Sequence, residues 1–334
     1  MQKKTMYLIA AIAIVAILLA ATAVYYYNNN SKNNDDNNIT PTPSATATPE
    51  EPEEPDESFP ITIMDDSGVK ITITEAPQRI ISLAPSSTEI LFAVGAGDQV
   101  VGVTDFCDYP YNFADWIAEG KMSTIGNYWQ PAIEPIIALE PDLILASGGG
   151  ASDEVADKLR GLGYNVIMLD PATLSDVLYN IDIIGKATGH ANKATDLLTS
   201  LQARIDVITS KVTGISDKPK VYIEIWDDPL MASAKGSYID DILTIVGGIN
   251  IFADATTSYP IVSSDVVISK NPDIILTESG NVADRAGWSN INAVINNKVY
   301  DRGSDATYIR PGPRLVDALE ELAKIVHPEI FGNI

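Results

Sequence analysis

The sequence predicts an α/β protein of two lobes with parallel-sheet cores, joined by one long α-helix and preceded by a transmembrane helix and a disordered linker. Three observations predict the lobes. Apolar strand-like runs alternate with helical patterns in two successive rounds. A segment with helical spacing separates the rounds, and one stretch of the first round recurs in the second. With 334 residues and 46% hydrophobic content, the chain has apolar surface for more than one packed core.

Residues 1–27 read as an N-terminal anchor. Met6 to Val24 carries no charge, and as a helix it would span about 28 Å, one hydrocarbon core. Lys3 and Lys4 precede it, so the positive-inside rule leaves the N-terminus in the cytoplasm and exports the rest. The expected localisation is therefore the cell membrane, single-pass, with the binding domain extracytoplasmic. Ala21-Thr22-Ala23 has the small-x-small form of a cleavage site, so a cleaved secretory signal is the alternative. Residues 28–58 are rich in Asn, Thr, Pro and Glu without apolar periodicity, too poor in buriable surface to offset ordering entropy. They read as an extended spacer, with a glycosylation sequon at Asn38-Ile39-Thr40.

The first lobe is placed at 59–172. Phe59 to Ile73 alternates around Asp65-Asp66-Ser67-Gly68, a hairpin signal. Ile80–Ala84, Val100–Val103, Leu143–Ala146 and Val166–Leu169 read as buried strands. Ser86-Ser87-Thr88-Glu89 has the form of a capping box opening a short helix. Residues 173–212 read as connecting helices broken at Gly189-His190, the second covering about Ala191 to Val212 with Leu198, Leu201, Ile205 and Ile208 on one stripe. The second lobe, 213–334, repeats the pattern. Strands are expected at Val221–Ile225, Ile274–Thr277 and Val299–Tyr300, and helices at Tyr238–Val246 and Pro313–Val326.

The recurring stretch runs from Ile133 to Leu145 and from Ser264 to Leu276. In each copy a carboxylate, Glu134 or Asp265, lies seven residues before the proline of a Pro-Asp pair that opens a strand. That spacing sets each acid near the start of a short helix, where the dipole favours it and solvent reaches it. Helix capping alone accounts for one such acid; recurrence in both lobes points to a shared role.

Composition excludes several classes. A formal charge of -23 opposes binding to nucleic-acid phosphates. The single cysteine, Cys107, and the two histidines, His190 and His327, leave no disulfide framework and no Cys/His zinc site. No nucleotide loop, nucleophile elbow or zinc-protease motif occurs, so the chain reads as a binding protein and not an enzyme.

Gln78 to Leu91, Val101 to Thr104, Asp108-Tyr109-Pro110, the two Pro-Asp segments and Arg310-Pro311-Gly312-Pro313-Arg314 together resemble the iron-siderophore and cobalamin class of substrate-binding proteins of ABC importers, most of all its cobalamin branch. The resemblance covers about residues 59 to 330. It implies Rossmann-like lobes with a ligand in the cleft between them, little hinge closure, and docking of Glu134 and Asp265 on a permease dimer that works with ATPase subunits. Asp265 stands where glutamate is usual. It also implies ligand contacts at Phe106, Tyr128, Met231 and Tyr259, with Trp226 and Arg310 beside them; Trp129 is a candidate contact as an aromatic on the expected first-lobe wall. Tyr109, Tyr111 and Tyr308 are further aromatics on the expected walls. A corrinoid suits flat aromatics and few cations; a ferric siderophore, or haem through a tyrosine such as Tyr128 or Tyr308, is the alternative, and an adhesion or sensor module on the same fold is a second class. No cofactor is expected apart from metal inside the ligand, and the chain is expected to act as a monomer.

Overall fold

The computed structural model describes residues 58–332 except 149–150, 278–281 and 303–305. The predicted apolar segment at 6–24 and the linker up to residue 57 lie outside the described residues. Among the described residues no helix is long and apolar enough to cross a membrane.

Strands β1 (Ile61–Met64) and β2 (Lys70–Ile73) form the antiparallel hairpin. The first lobe then runs β3 (Ile80–Ser82), α1 (Pro85–Ala93), β4 (Val100–Val103), α2 (Phe113–Ala118), β5 (Ser123–Thr124), α3 (Ile133–Ala138), β6 (Leu143–Ser147), α4 (Ala151–Gly161) and β7 (Val166–Leu169). Its parallel strands lie in the order β5-β4-β3-β6-β7. Helices α5 (Leu174–Thr188) and α6 (Ala191–Val212) lead to the second lobe. There follow β8 (Lys220–Asp227), β9 (Leu230–Ala232), α7 (Tyr238–Ile245), β10 (Ile249–Asn250), α8 (Ser264–Lys270), β11 (Ile274–Thr277), α9 (Asn292–Ile295), β12 (Val299–Asp301), α10 (Ala306–Ile309), α11 (Leu315–Val326) and α12 (Pro328–Phe331). This sheet has the parallel order β10-β8-β11-β12, with β9 antiparallel to β8. In both sheets the lobe's first strand is interior and strand order reverses beside it, which opens a crevice at the carboxyl ends of the strands.

Alternate residues along each strand face different cores, as period two requires. Leu143 and Leu145 join a large apolar cluster while Ile144 and Ala146 join a smaller one on the opposite face. In the second lobe Val221 and Ile223 face the large cluster and Tyr222 the opposite one. The large cluster is continuous from β3 through Leu174, Leu201 and Ile205 to Val221, Ile274 and Leu319. Rotation of one lobe on the other would have to shear this packed interior.

One local expectation is corrected and one is met. The predicted capping box at Ser86 to Glu89 is not one. Pro85 sits in the first turn, Ala84 is the cap, and no side chain caps the helix. Thr88 Oγ1 instead donates to Ser82 Oγ at 2.8 Å. A reciprocal box does open α5, from Thr173 and Asp176. The break before α6 is made by Gly189, whose φ of 79° lies in the left-handed region that a Cβ disfavours.

The recurrent Pro-Asp stretches adopt matching geometry. Glu140 and Asn271 have φ of 47° and 46°. The carboxylate of Asp142 accepts the amides of Gln78 and Arg79 at 2.7 and 3.0 Å, and that of Asp273 accepts the amide of Lys220 at 3.0 Å. Each Asp thereby joins the start of one interior strand to the entry of its neighbour.

Candidate functional site

The loops after β4 and β5 carry the first wall. Phe106 lies edge-on to Trp129 at 4.8 Å and to Tyr128 at 6.1 Å, and Tyr128 and Trp129 are 4.6 Å apart. Trp129 is 58% exposed. Asn127 turns this loop, accepting the Trp129 amide at 2.7 Å. Burial pushes the Tyr128 hydroxyl above its ordinary pKa, because the phenolate is the form that loses most solvation.

The second wall grows from the end of β8. Trp226, also 58% exposed, pairs across the ladder with Met231 of β9, and Met231 bridges to Ile261. Cross-strand partners share a face, so these three form one apolar surface. Tyr259 lies between two backbone bonds, Ala232 N to Pro260 O at 3.0 Å and Ala234 N to Ser258 O at 2.8 Å. Its hydroxyl pKa is pushed up to about 12, first by burial and then by the charge of Asp170. Asp170 directly follows β7 in the first lobe, so its charge reaches this wall from the opposite lobe.

Arg310 enters from the second lobe, but its donors are directed to the first. Its guanidinium bonds both carboxylate oxygens of Asp108, Glu89 Oε1 at 3.2 Å and the Phe106 carbonyl at 3.2 Å. Lys121, in the loop between α2 and β5, pairs with Glu119 at 2.6 Å. Glu134 and Asp265 are both exposed, each in the first turn of its helix, α3 or α8.

Of the further aromatics expected on the walls, Tyr111 and Tyr308 pack elsewhere, and Tyr109 of the Phe106 loop carries an arginine on its ring. Tyr111 stacks on Trp116 at 4.7 Å in a separate cluster with Phe92 and Phe113. The Tyr109 ring lies 4.0 Å below the Arg314 guanidinium. Tyr308 is fully buried against Arg302, so its oxygen is not presented to a ligand iron. Ile261, 68% exposed on the second wall, was missed by sequence reasoning. A β-branched residue between two tyrosine- and valine-containing runs has no local signal for facing a cleft.

A family model described as periplasmic binding protein matches residues 80–306. The ABC transporter substrate-binding lipoprotein YvrC of Bacillus subtilis strain 168, itself uncharacterised, is 36% identical over 82% of this chain and 88% of its own length. A vitamin B12-binding protein of Vibrio cholerae is 30% identical over 73% of this chain and 87% of its own. The solved periplasmic vitamin B12-binding protein BtuF of that organism superposes with a TM-score of 0.66 at 30% identity, covering 75% of this chain and 96% of the other.

These findings correct the localisation expected from residues 6–24. The Bacillus relative is named a lipoprotein, which favours a lipid over a membrane-crossing helix as the means of attachment, so the single-pass helix is not retained as the anchor. The match to residues 80–306 and the 36% relative establish that the chain belongs to the periplasmic binding protein family, whose members are substrate-binding proteins of transporters and not enzymes.

Proposed function

We propose that the protein captures a corrinoid between lobes 59–172 and 213–334 and delivers it to an ABC importer. The observation that carries this reading is the pair of exposed apolar walls at the carboxyl ends of two parallel sheets, where α/β folds hold ligands. Phe106, Tyr128 and Trp129 form one; Trp226, Met231 and Tyr259 form the other. A broad macrocycle rim offers large apolar area to such rings and to a thioether. An anionic siderophore would need arginines free to pair with it, whereas Arg310 is engaged by Asp108 and Glu89. The vitamin B12-binding relatives at 30% identity support the same choice.

Titration of residues 59–334 with cyanocobalamin, ferric siderophores and haem, read by tryptophan fluorescence and visible absorbance, tests the ligand. Cyanocobalamin is expected to bind below about 10 μM, near -6.8 kcal/mol; binding of a siderophore or haem alone would overturn the assignment. In transport, Glu134 and Asp265 set the orientation of docking on the permease dimer, one acid per lobe. Exposed ion pairs supply about 0.2 to 1 kcal/mol each, enough to steer encounter but not to hold a complex. Replacing both acids with arginine is expected to stop uptake and leave ligand affinity unchanged. Normal uptake would remove the docking role.

A further inference from the structure

Glu89 is a carboxylate with 1% of its side chain exposed, on a helix that faces the second lobe. Such a group is held in an interior only when paired and hydrogen-bonded. Its partners come from the loop between α10 and α11. Arg314 donates to both its oxygens, at 2.9 and 2.6 Å, and Arg310 adds a bond at 3.2 Å. The same two arginines also grip the loop that follows β4. Arg310 bonds Asp108 and the Phe106 carbonyl, and Arg314 covers the Tyr109 ring. Pro311 and Pro313 flank Gly312 between them and restrict the backbone that presents both side chains. A Cβ on Gly312 would approach the Ser86 carbonyl to 3.5 Å, so this loop lies directly on α1.

We infer that Arg310 is a positioning residue for the ligand wall: anchored on buried Glu89 beside Arg314, it holds the Phe106–Tyr109 loop in its binding pose across the lobe boundary. Two guanidinium groups balance two carboxylates, Glu89 and Asp108, so the cluster is neutral as a unit. Glu89 anchors the cluster because it is buried; Asp108, largely exposed, sets direction and contributes little energy. The ligand gains because the loop is ordered before it arrives, which removes an ordering cost from binding. The inference rests on the reading that Phe106 belongs to the ligand wall.

The test combines Arg310→Met, Arg310→Lys and Asp108→Asn with amide hydrogen exchange in the ligand-free protein and titration with cyanocobalamin. Arg310→Met is expected to raise exchange at Phe106 to Tyr109 about tenfold while the amides of β11 are unchanged, and to weaken cyanocobalamin binding by a similar factor. Arg310→Lys, which keeps the charge without the fork, should fall between. Asp108→Asn removes the exposed arm without touching buried Glu89, and it carries the test if Arg310→Met fails to fold; a two- to threefold rise in loop exchange is expected. Unchanged loop exchange in every folded variant overturns the inference, and so does weaker ligand binding without a change in exchange, which would make Arg310 a direct contact. Faster loop exchange in a protein whose wild type binds no cyanocobalamin upholds the loop anchor and rejects the ligand.

Discussion

The two walls of the cleft expose their tryptophans equally, at 58% for Trp129 and Trp226, yet different forces hold them. Phe106, Tyr128 and Trp129 rest on one another's ring edges and on the arginine contact to the Phe106 carbonyl. Trp226, Met231 and Tyr259 sit on hydrogen-bonded backbone, through the β8–β9 ladder and the Ala232 and Ala234 amides. The groups behind them differ too. In the first lobe, beside the ion pairs of Glu89, Thr88 and Thr104 meet Cys107 Sγ at 3.1 and 3.3 Å, a neutral cluster. In the second, buried Glu224 accepts Thr277 Oγ1 at 2.8 Å and Arg285 Nη2 at 2.9 Å, while Arg302 donates to its carbonyl at 2.8 Å. One architecture thus supports a wall of mutually dependent side chains and a wall fixed by its main chain.

Stability should separate the lobes most. Arg285→Met removes the guanidinium that donates to both oxygens of the buried Glu224 carboxylate and is expected to cost about 3 to 5 kcal/mol in denaturant unfolding. Thr88→Val in the first lobe removes one neutral hydrogen-bonding group and should cost about 1 kcal/mol. Equal losses would show that the ionic and neutral clusters do the same work.

Ligand binding offers the next contrast. Phe106→Ala removes the ring on which both Tyr128 and Trp129 lean, and an affinity loss of about thirtyfold or more, roughly 2 kcal/mol, is expected for cyanocobalamin. Trp226→Ala leaves the backbone ladder intact and should lose about tenfold, near 1.4 kcal/mol. A larger loss at Trp226 would reverse the ranking of the walls.

The smallest effects are in pH dependence, and they carry opposite signs. The Arg310 hydrogen bond holds the Asp108 carboxyl below its ordinary 3.8. Its contribution is therefore present above the unfolded value and lost as pH falls through the lower folded one. Burial raises the Asp66 carboxyl above 3.8, so the folded protein takes up this proton first on acidification. The cost of its charge at neutral pH is relieved as pH falls through the raised value. Between pH 7 and pH 3, unfolding midpoints should show the deficit of Asp108→Asn shrinking and wild type gaining on Asp66→Asn. Parallel pH profiles for the two variants would contradict both assignments.

Much of the architecture could be read along the chain because it depends on local periodicity. The α6 boundaries, the strands at 166–169 and 274–277, and the break at Gly189 follow from apolar spacing and one left-handed glycine. Short pieces without a full period, such as β5 and α9, gave no such signal. At the site, aromatic residues in loops after strands were visible as candidates, but their partners were not. Tyr111 and Tyr128 occupy similar loops, and packing alone sends one to Trp116 and the other to Phe106.

Glu89 marks the limit most clearly. Its sequence context, three residues after a serine, is that of a helix cap, which is a local hydrogen-bond pattern. Its actual partners, Arg310 and Arg314, are more than 200 residues away, at separations of 221 and 225. The sequence by itself determined the two rounds of strand and helix, the long connector and the paired acids, because each arises from neighbours within a few turns. Tertiary structure alone decided which aromatics share a wall, which acids Arg310 and Arg314 engage and how the lobes are tied. Those outcomes depend on burying a charge only where an opposite charge arrives from a distant part of the chain.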